Sequence, residues 1–395
     1  MMASGYQTQI EPADISANVA GNRLCVIQSG PERLATLLKL IDNAQNHIAM
    51  ITYNFANDAA GQAVMTALAR AAGRGVTVHL SIDDFGSSKT AQSFFAPLID
   101  AGGVVQRFGV GWSRRYLVRN HQKLAVFDRA IALMGGFNIA DAYFAPRSDP
   151  GGWRDLGLLI EGPAVEACQR WCDGLEQWMA QPHQSWRALS QLIRSFHSDG
   201  HALSLLIGGP TPRLSPWARQ LRQDISLGSS MTAAMAYFSP NAGFLRRLSA
   251  LAMRGGTSLI LPAISDNGAT VGASRLFYAY LLKRQVRLYE YDASLLHTKI
   301  CVIDNITYIG SANLDMRSLY VNVELMLRID DADFAEKCRD LIQDLAHQST
   351  MVTDDIHKAR ATWLNRIRWA LSWLMVGVID YGVTRRLNFG LPKRN

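Results

Sequence analysis

The chain carries one sequence pattern twice, and this repeat constrains its fold more than any other feature. Residues 121–128 read HQKLAVFD and residues 297–304 read HTKICVID, so the spacing H-x-K-x-x-x-x-D occurs in two copies. Each copy is followed at nearly the same distance by a glycine-rich segment that ends in asparagine, GGFN at 135–138 and GSAN at 310–313. The sequence therefore predicts two similar halves.

The residues after each histidine predict a strand in a covered sheet. Residues 124–127 and 300–303 are short apolar runs, largely β-branched or aromatic, which is typical of a strand that is buried on both faces. A second strand is predicted in each copy, at 132–134 and 307–309. Such a hairpin would bring the asparagine that ends each glycine-rich segment back beside the start of the first strand.

Each half thereby offers a histidine, a lysine and an asparagine to one point. Residues two apart on a strand share a face, so each histidine and lysine would project together. The aspartates have the opposite parity, and we expect them in the turn after the strand, bonding backbone or bracing the site. The predicted catalytic set is His121, Lys123, Asp128, His297, Lys299 and Asp304.

This combination suits phosphodiester chemistry. Lysine supplies a positive charge, asparagine an amide donor, and neutral histidine a nucleophile or base. Two such sets that meet across a pseudo-two-fold axis would place one histidine on each side of a phosphorus atom. One could form a phosphohistidine while the other protonates the leaving alkoxide. We expect no metal and no cofactor, because the sequence contains no H-E-x-x-H, no paired C-x-x-C and no D-x-D-x-D pattern.

Each reactive histidine also needs a carboxylate that fixes its tautomer. Glu324 lies 27 residues after His297 on a strand-like run, and Asp155 lies 34 residues after His121 where another apolar run begins. We interpret these two as the imidazole partners, although Asp155 fits an ordinary surface carboxylate nearly as well. The residues predicted to contact or orient the substrate are Asn138, Asn313, Ser311, Asp155 and Glu324.

Together these residues resemble the phospholipase D superfamily, and the longer strings resemble bacterial cardiolipin synthases. The strings are NHQKL at 120–124, GGFNI at 135–139, WRD at 153–155, IEGPAV at 160–165 and GSANLDMRS at 310–318. The resemblance covers about residues 21–329. It implies an α/β fold of two pseudo-symmetric halves, each a mixed sheet flanked by helices, with one active site between them.

The resemblance further implies transfer of a phosphatidyl group between phospholipids, usually two phosphatidylglycerols that give cardiolipin and glycerol. It assigns the nucleophile to His121 and acid–base catalysis to His297, which the residues alone treat almost symmetrically. The implied substrates are phosphatidylglycerol and phosphatidylethanolamine, and the enzyme would act peripherally on the cytoplasmic face of a bacterial membrane. Hydrolysis by the same histidines, of a lipid or of a nucleic acid, stays open as the alternative. The oligomeric state is not predicted.

The charge distribution argues against a nucleic-acid partner and toward a membrane. Eight basic residues and one acidic residue between positions 358 and 395 account for the whole formal net charge of +7. The catalytic halves are therefore neutral overall, whereas a nuclease is expected to have a basic groove. We expect no signal peptide, and no run of 18 apolar residues predicts a membrane span.

The basic tail has helical periodicity. Trp363, Ile367, Leu371 and Leu374 would share an apolar face, with Arg368 and Ser372 on the opposite side. We interpret it as a helix in the membrane interface, the alternative being a helix docked on the domain. The predicted organisation is a first half at 1–200, a second half at 201–350 and a basic amphipathic membrane-interface segment at 351–395.

Overall fold

The two apolar runs that follow the repeated histidines each lie inside an eight-stranded sheet. The computed structural model describes residues 15–109, 118–182, 184–197 and 200–379. In the first half it contains β1 (Ile15–Val19), β2 (Asn22–Ile27), α1 (Gly30–Asn43), β3 (His47–Thr52), α2 (Ala59–Gly73), β4 (Thr77–Asp83), a 3-10 turn (Gln92–Phe95), α3 (Ala96–Asp100), β5 (Val104–Phe108), β6 (Leu124–Phe127), β7 (Ile131–Gly135), α4 (Asp141–Phe144), β8 (Trp153–Arg154), β9 (Gly157–Glu161), α5 (Val165–Ala180) and α6 (Trp186–Ser195).

The second half follows a similar course. It contains β10 (Leu203–Gly208), α7 (Pro216–Leu227), β11 (Met231–Met235), β12 (Phe238–Ser239), α8 (Ala242–Gly255), β13 (Thr257–Pro262), α9 (Gly268–Arg275), α10 (Tyr278–Leu282), β14 (Val286–Tyr291), β15 (Leu295–Leu296), β16 (Lys299–Ile303), β17 (Ile306–Gly310), β18 (Leu314–Asp315), α11 (Met316–Tyr320), β19 (Glu324–Asp330), α12 (Ala332–His347), β20 (Ser349–Val352), α13 (Asp354–Arg360), α14 (Trp363–Trp373) and a π-helical turn (Leu374–Ile379).

The two sheets share a strand order. The first runs β1-β2-β9-β7-β6-β3-β4-β5 and the second β10-β19-β17-β16-β11-β13-β14-β20, so seven consecutive strands correspond, from β2 to β5 and from β10 to β14. In each half the motif strand pairs antiparallel with its neighbours, while β3-β4-β5 and β11-β13-β14 run parallel. The predicted fold class, two pseudo-symmetric α/β halves, is confirmed.

One apolar core joins the halves. Helix α5 packs on the first sheet and α12 on the second, and their buried faces form a single cluster that includes Trp171 and Phe334. Separate apolar clusters fill the other side of each sheet, under α1 and α2 in the first half and under α7 and α8 in the second. The halves are thus held against each other by buried apolar surface, which fixes the position of any site that both contribute to.

The four strands predicted after the histidines lie within one residue of their predicted bounds, and β6 matches them. Helix α1 begins at Gly30 because Pro31 occupies its first turn, where its fixed φ and missing N–H suit a helix start. Helix α6, which follows α5, is capped by the Ser185 side chain.

The C-terminal segment is partly docked. Helix α14 packs along α9 with Trp369 and Ser372 buried, and the Trp373 ring meets Phe277 edge-on. Strand β20 reaches Val352, so the second sheet continues past residue 350. The four basic residues between 385 and 394, part of the predicted membrane-interface segment, lie outside the described residues. Among the described helices, none is both long and apolar enough to cross a membrane.

Candidate active site

His121 is held in place by the opposite half of the molecule. It lies in the irregular segment that leads into β6, and not on the strand itself as predicted. Its backbone N–H donates to the Val323 carbonyl at 2.9 Å, next to a parallel bridge between Asn120 and Val323. This backbone link brings the histidine of the first half directly beside Glu324, the residue that follows Val323 in the second.

His297 is held in the equivalent way by the first half. Its backbone N–H donates to the Arg154 carbonyl at 2.9 Å, and the preceding strand β15 pairs in parallel with β8. The neighbouring Thr298 hydroxyl donates to the same carbonyl at 2.9 Å. The histidine of the second half therefore lies beside Asp155, the residue that follows Arg154 in the first.

The two carboxylates consequently serve the histidines crosswise. Glu324 Oε2 lies 3.1 Å from Nδ1 of His121, and Asp155 Oδ2 lies 2.6 Å from Nδ1 of His297. Both carboxylates are buried. An acceptor on Nδ1 holds the proton there in the neutral imidazole and leaves Nε2 as the basic, nucleophilic atom. The structure places both predicted carboxylates on imidazoles, each across the interface between the halves.

The two carboxylates differ in their own support. The Ser311 hydroxyl donates to Glu324 Oε2 at 2.5 Å, which adds a link behind His121. In the first half the corresponding residue is Gly136, where a Cβ atom would come within 2.5 Å of Asp155 Oδ1. Ser311 therefore contacts the carboxylate partner of an imidazole, and a contact of Ser311 with substrate stays a prediction. The glycine leaves room for the shorter carboxylate.

Both motif lysines are buried beside their own histidines. Lys123 Nζ donates to the His121 carbonyl at 2.6 Å, and Lys299 Nζ donates to the His297 carbonyl and lies 2.7 Å from its Nδ1. Burial disfavours the ammonium and lowers the pKa of Lys123 to about 7 and that of Lys299 to about 8. An anion bound between them would offset this cost and restore their charge.

The imidazoles are neutral in the absence of substrate. Burial lowers the pKa of both His121 and His297, an effect that their carboxylates oppose. Burial alone would raise the pKa of Asp155, but the charge of Lys299 and the hydrogen bond with His297 outweigh it and lower that pKa. The His121 side chain is 13% exposed and the His297 side chain 5%, so His121 is the more accessible of the two.

The motif asparagines hold the backbone that surrounds the site. Asn138 Oδ1 accepts from the Asn54 N–H at 3.3 Å, and Asn313 Oδ1 accepts from the Tyr237 N–H at 3.2 Å. These partners follow the corresponding strands β3 and β11, so the two halves repeat the arrangement. With their oxygens occupied in this way, both asparagines direct their amide donors elsewhere, which is the group that a phosphate oxygen would need.

Asp128 and Asp304, which the motif placed in the catalytic set, have no contact with the imidazoles. They lie at the far ends of the motif strands with φ of +49° and +47°. Asp128 accepts from the N–H groups of residues 45–47, and Asp304 from the N–H groups and one hydroxyl of residues 229 and 230. Each carboxylate therefore braces the turn after its strand, away from its histidine, and a catalytic role for the two aspartates stays a prediction.

Aromatic residues around His297 were not predicted. The Tyr143 hydroxyl lies 3.5 Å from Nε2 of His297, and Trp153 stacks on Tyr143 while meeting the imidazole edge-on. Burial and the charge of Asp155 raise the pKa of Tyr143, so its hydroxyl remains a donor. The buried Arg33 donates to the carbonyls of Tyr143 and Asp155. No motif spacing marks these residues, although Trp153 directly precedes Arg154 and Asp155.

The comparison with known families decides what this arrangement is. A family model described as "Cardiolipin synthase, PLD-like domain" matches residues 37–169 and 221–346. The chain belongs to this family. Each matched segment contains one motif histidine and one of the crossed carboxylates. The predicted membership of the phospholipase D superfamily, and of its phosphatidyltransferases, is confirmed.

Individual members of the family agree over most of the chain. A cardiolipin synthase of Listeria monocytogenes is 28% identical over 372 residues, covering 91% of this chain and 76% of that protein. Cardiolipin synthase 2 of Bacillus cereus is 30% identical over 344 residues, covering 85% of this chain and 66% of that protein.

A solved structure shares the two-half architecture. The phosphatidylserine synthase of Haemophilus influenzae aligns with a TM-score of 0.68 over 90% of this chain and 95% of its own, at 14% identity. At that identity the likeness establishes the fold alone. The arrangement of two similar halves is therefore a fold that this chain shares with that synthase.

Proposed function

We propose that the chain is a cardiolipin synthase-like phosphatidyltransferase. It would move a phosphatidyl group from one phospholipid to the headgroup hydroxyl of phosphatidylglycerol through a phosphohistidine intermediate. Two phosphatidylglycerols would give cardiolipin and glycerol, and phosphatidylethanolamine could serve as an alternative donor. The relatives that carry the name cardiolipin synthase support the class of reaction, and the geometry of the site supports the route.

One observation carries the proposal: each imidazole is bonded at Nδ1 to a buried carboxylate of the opposite half. Both Nε2 atoms are thereby left for chemistry at a site that neither half completes alone. A two-step displacement needs two such groups, one to attack phosphorus and one to handle the proton of the alcohol.

In the first step we assign the attack to His121. Its Nε2 would form a P–N bond as the P–O bond to the donor's headgroup breaks, and His297 would give its proton to the leaving alkoxide. His121 is the more accessible imidazole, and its partner Glu324 is further fixed by Ser311, which suits a nucleophile that must stay neutral and oriented. Asp155 would stabilise the imidazolium of His297.

In the second step His297 would act as the base. It would remove the proton from the headgroup hydroxyl of phosphatidylglycerol, whose oxygen attacks phosphorus while the P–N bond to His121 breaks. The proton taken up replaces the one given in the first step, so the enzyme is regenerated. Water in place of that hydroxyl would give phosphatidic acid, the product of the hydrolytic alternative.

The lysines and asparagines would hold the phosphoryl oxygens. Lys123 and Lys299 are buried next to the two histidines, where their charge would act in a medium of low polarity. A phosphodiester anion would raise the pKa of both lysines and of His297, because it would add a negative charge beside them. Substrate would thus create the protonated His297 that the first step requires.

We place this chemistry at a bacterial membrane, on the cytoplasmic face, with anionic phospholipids as substrate and surface. No nucleic-acid partner is proposed, because the formal charge of residues 1–357 sums to zero.

The test is incubation of the purified full chain with phosphatidylglycerol vesicles, with and without phosphatidylethanolamine, followed by lipid mass spectrometry. Cardiolipin with an equivalent of glycerol is the expected product. Phosphatidic acid as the sole product would refute transfer. A His121→Ala variant should be inactive. In a His297→Ala variant given phosphatidyl-p-nitrophenol, whose leaving group needs no proton, the intermediate should be recovered as acid-labile label on His121.

A further inference from the structure

Helix α14 turns its apolar face toward solvent. Trp363, Leu364, Ile367, Leu371 and Met375 are between 51% and 69% exposed. The last four are spaced by three or four residues, so they form one stripe along the helix. A surface helix of a globular protein ordinarily turns such a stripe to the core. We call these five residues the α14 stripe.

The attachment of α14 to the second half uses the other side of the helix. Ser372 is buried against α9, where a Cβ atom on Gly272 would come within 2.6 Å of its hydroxyl oxygen. Trp369 is also buried and stacks on the His357 ring. The fold therefore fixes the helix by a face that includes a small polar residue and leaves the stripe uncovered, although the helix is firmly docked.

Basic residues border the stripe. At 100° per residue, Arg368 falls beside Met375 at one margin of the stripe, and not on the opposite side as predicted. Arg366 falls nearest Trp363 at the other margin, and both arginines are exposed. The sequence of α14, WLNRIRWALSW, contains no acidic residue. An apolar strip with arginines at its edges fits the interface of a bilayer with anionic headgroups, where the strip enters the acyl boundary and the cations meet phosphate.

Helix α9 connects this surface to the rim of the active site. Asp266, just before α9, accepts from the Tyr237 hydroxyl at 3.4 Å, and the backbone of Tyr237 is held by Asn313. Helix α14 lies against α9 through Gly272, about one helical turn farther along. Ile264 in the same rim loop is itself 47% exposed. A bilayer in contact with the stripe would thus lie next to the site.

We propose that the α14 stripe is a membrane-docking surface that binds the interface of an anionic phospholipid bilayer and holds the rim of the active site against it. The inference rests on the proposed function only in identifying that bilayer as the source of substrate. Charge selects this occupant over a second copy of the chain, because α14 of a second copy would bring arginines against arginines.

The test is co-sedimentation of the full chain with sucrose-loaded vesicles of phosphatidylcholine, with or without phosphatidylglycerol. Leu371→Asp and Ile367→Asp should each weaken binding about tenfold or more, because each puts a negative charge in place of an apolar side chain that would enter the bilayer. The matched control is Leu227→Asp at the end of α7, which is 76% exposed and should bind as wild type. Arg368→Gln should reduce the preference for phosphatidylglycerol several-fold.

Two further arms separate this proposal from the proposed function. Leu371→Asp should process a short-chain phosphatidylglycerol below its micelle concentration like wild type, and His121→Ala should bind vesicles like wild type. A wild-type protein that binds vesicles but turns over no lipid would refute the proposed function and would not affect the proposal that the α14 stripe binds membrane. Unchanged vesicle binding by Leu371→Asp would overturn the surface, as would a dimer that this substitution dissociates while vesicle binding persists.

Discussion

Asp155 belongs to the first half of the chain, yet its carboxylate lies 2.6 Å from Nδ1 of His297 in the second half. The reciprocal contact joins Glu324 to His121 at 3.1 Å. Each contact follows from a parallel backbone bridge between the halves. The histidine is the next residue after the bridged pair on one strand, and the carboxylate is the next residue on the other. The halves are therefore interdependent in chemistry as well as in packing. Substitutions of the two carboxylates should have different effects, because each carboxylate serves a different histidine.

We expect Asp155→Asn and Glu324→Gln to differ according to the leaving group. Each amide should lower kcat on phosphatidylglycerol by about 100-fold or more, because the imidazole loses its fixed tautomer and its counter-charge. On phosphatidyl-p-nitrophenol, whose leaving group needs no proton, release of nitrophenolate in a single turnover should recover in Asp155→Asn and stay slow in Glu324→Gln. The exposed Glu336→Gln is the matched control. The reverse pattern would mean that His297 is the nucleophile.

Ser311 and Gly136 occupy corresponding positions with opposite demands, so small changes there should have unequal effects. Ser311→Ala removes the hydroxyl that donates to Glu324 and should lower kcat about 3- to 10-fold with little effect on KM. Gly136→Ala should lower kcat further than Ser311→Ala does, because its Cβ would displace the Asp155 carboxylate. Steady-state kinetics and thermal unfolding test both. Gly73→Ala, where nothing lies within 4 Å of the new Cβ, should leave activity unchanged.

The sequence predicted what is repeated and local, and missed what depends on contact between the halves. The apolar run at 124–127 sufficed to place β6, because strand pattern and burial are written into neighbouring residues. The sequence also identified Asp155 and Glu324 as carboxylate partners. It did not predict that each would contact the histidine of the opposite half, because sequence separation carries no information about a bridge such as that between Asn120 and Val323.

The same limit explains α14 and Tyr143. Periodicity gave the apolar face of α14, but which face docks depends on Gly272. Its missing side chain leaves room for Ser372, which is about 100 residues away in the chain. Tyr143 reaches His297 only because Arg33 holds its backbone, and no spacing rule links these three residues. Asp128 shows the converse: a motif position can be repeated because the turn after each strand needs its carboxylate, which bonds backbone there.

Tyr143→Phe should shift the enzyme from transfer toward hydrolysis. Its hydroxyl lies 3.5 Å from Nε2 of His297, where it can donate to the oxygen of the incoming headgroup and hold it for deprotonation. Without that donor, water should compete better, and the ratio of phosphatidic acid to cardiolipin should rise several-fold. The measurement is the product ratio over a range of phosphatidylglycerol concentrations. Tyr289→Phe controls for loss of a phenol; an unchanged ratio in Tyr143→Phe would rule out this role.

The buried lysines should make the protein more stable as the pH rises above neutrality. Burial lowers the pKa of Lys123 to about 7, whereas a lysine in the unfolded chain titrates near ~10.4. Between these values the unfolded chain binds a proton that the folded protein lacks. The free energy of unfolding should therefore increase with pH, by at most ~1.4 kcal/mol per pH unit for one lysine. Lys299, with a pKa of about 8, should add to the slope from a higher pH.

Lys123→Met isolates this contribution. Chemical unfolding between pH 7 and 10 should show a shallower rise than in wild type, by about one lysine's share, while the exposed Lys39→Met should match wild type. Inorganic phosphate, which would keep both lysines charged, should stabilise the wild type more at pH 6.5 than at pH 9, because its binding takes up protons that are scarce at the higher pH. An equal slope in Lys123→Met would show that Lys123 keeps its proton over this pH range, and the lowered pKa of Lys123 would be wrong.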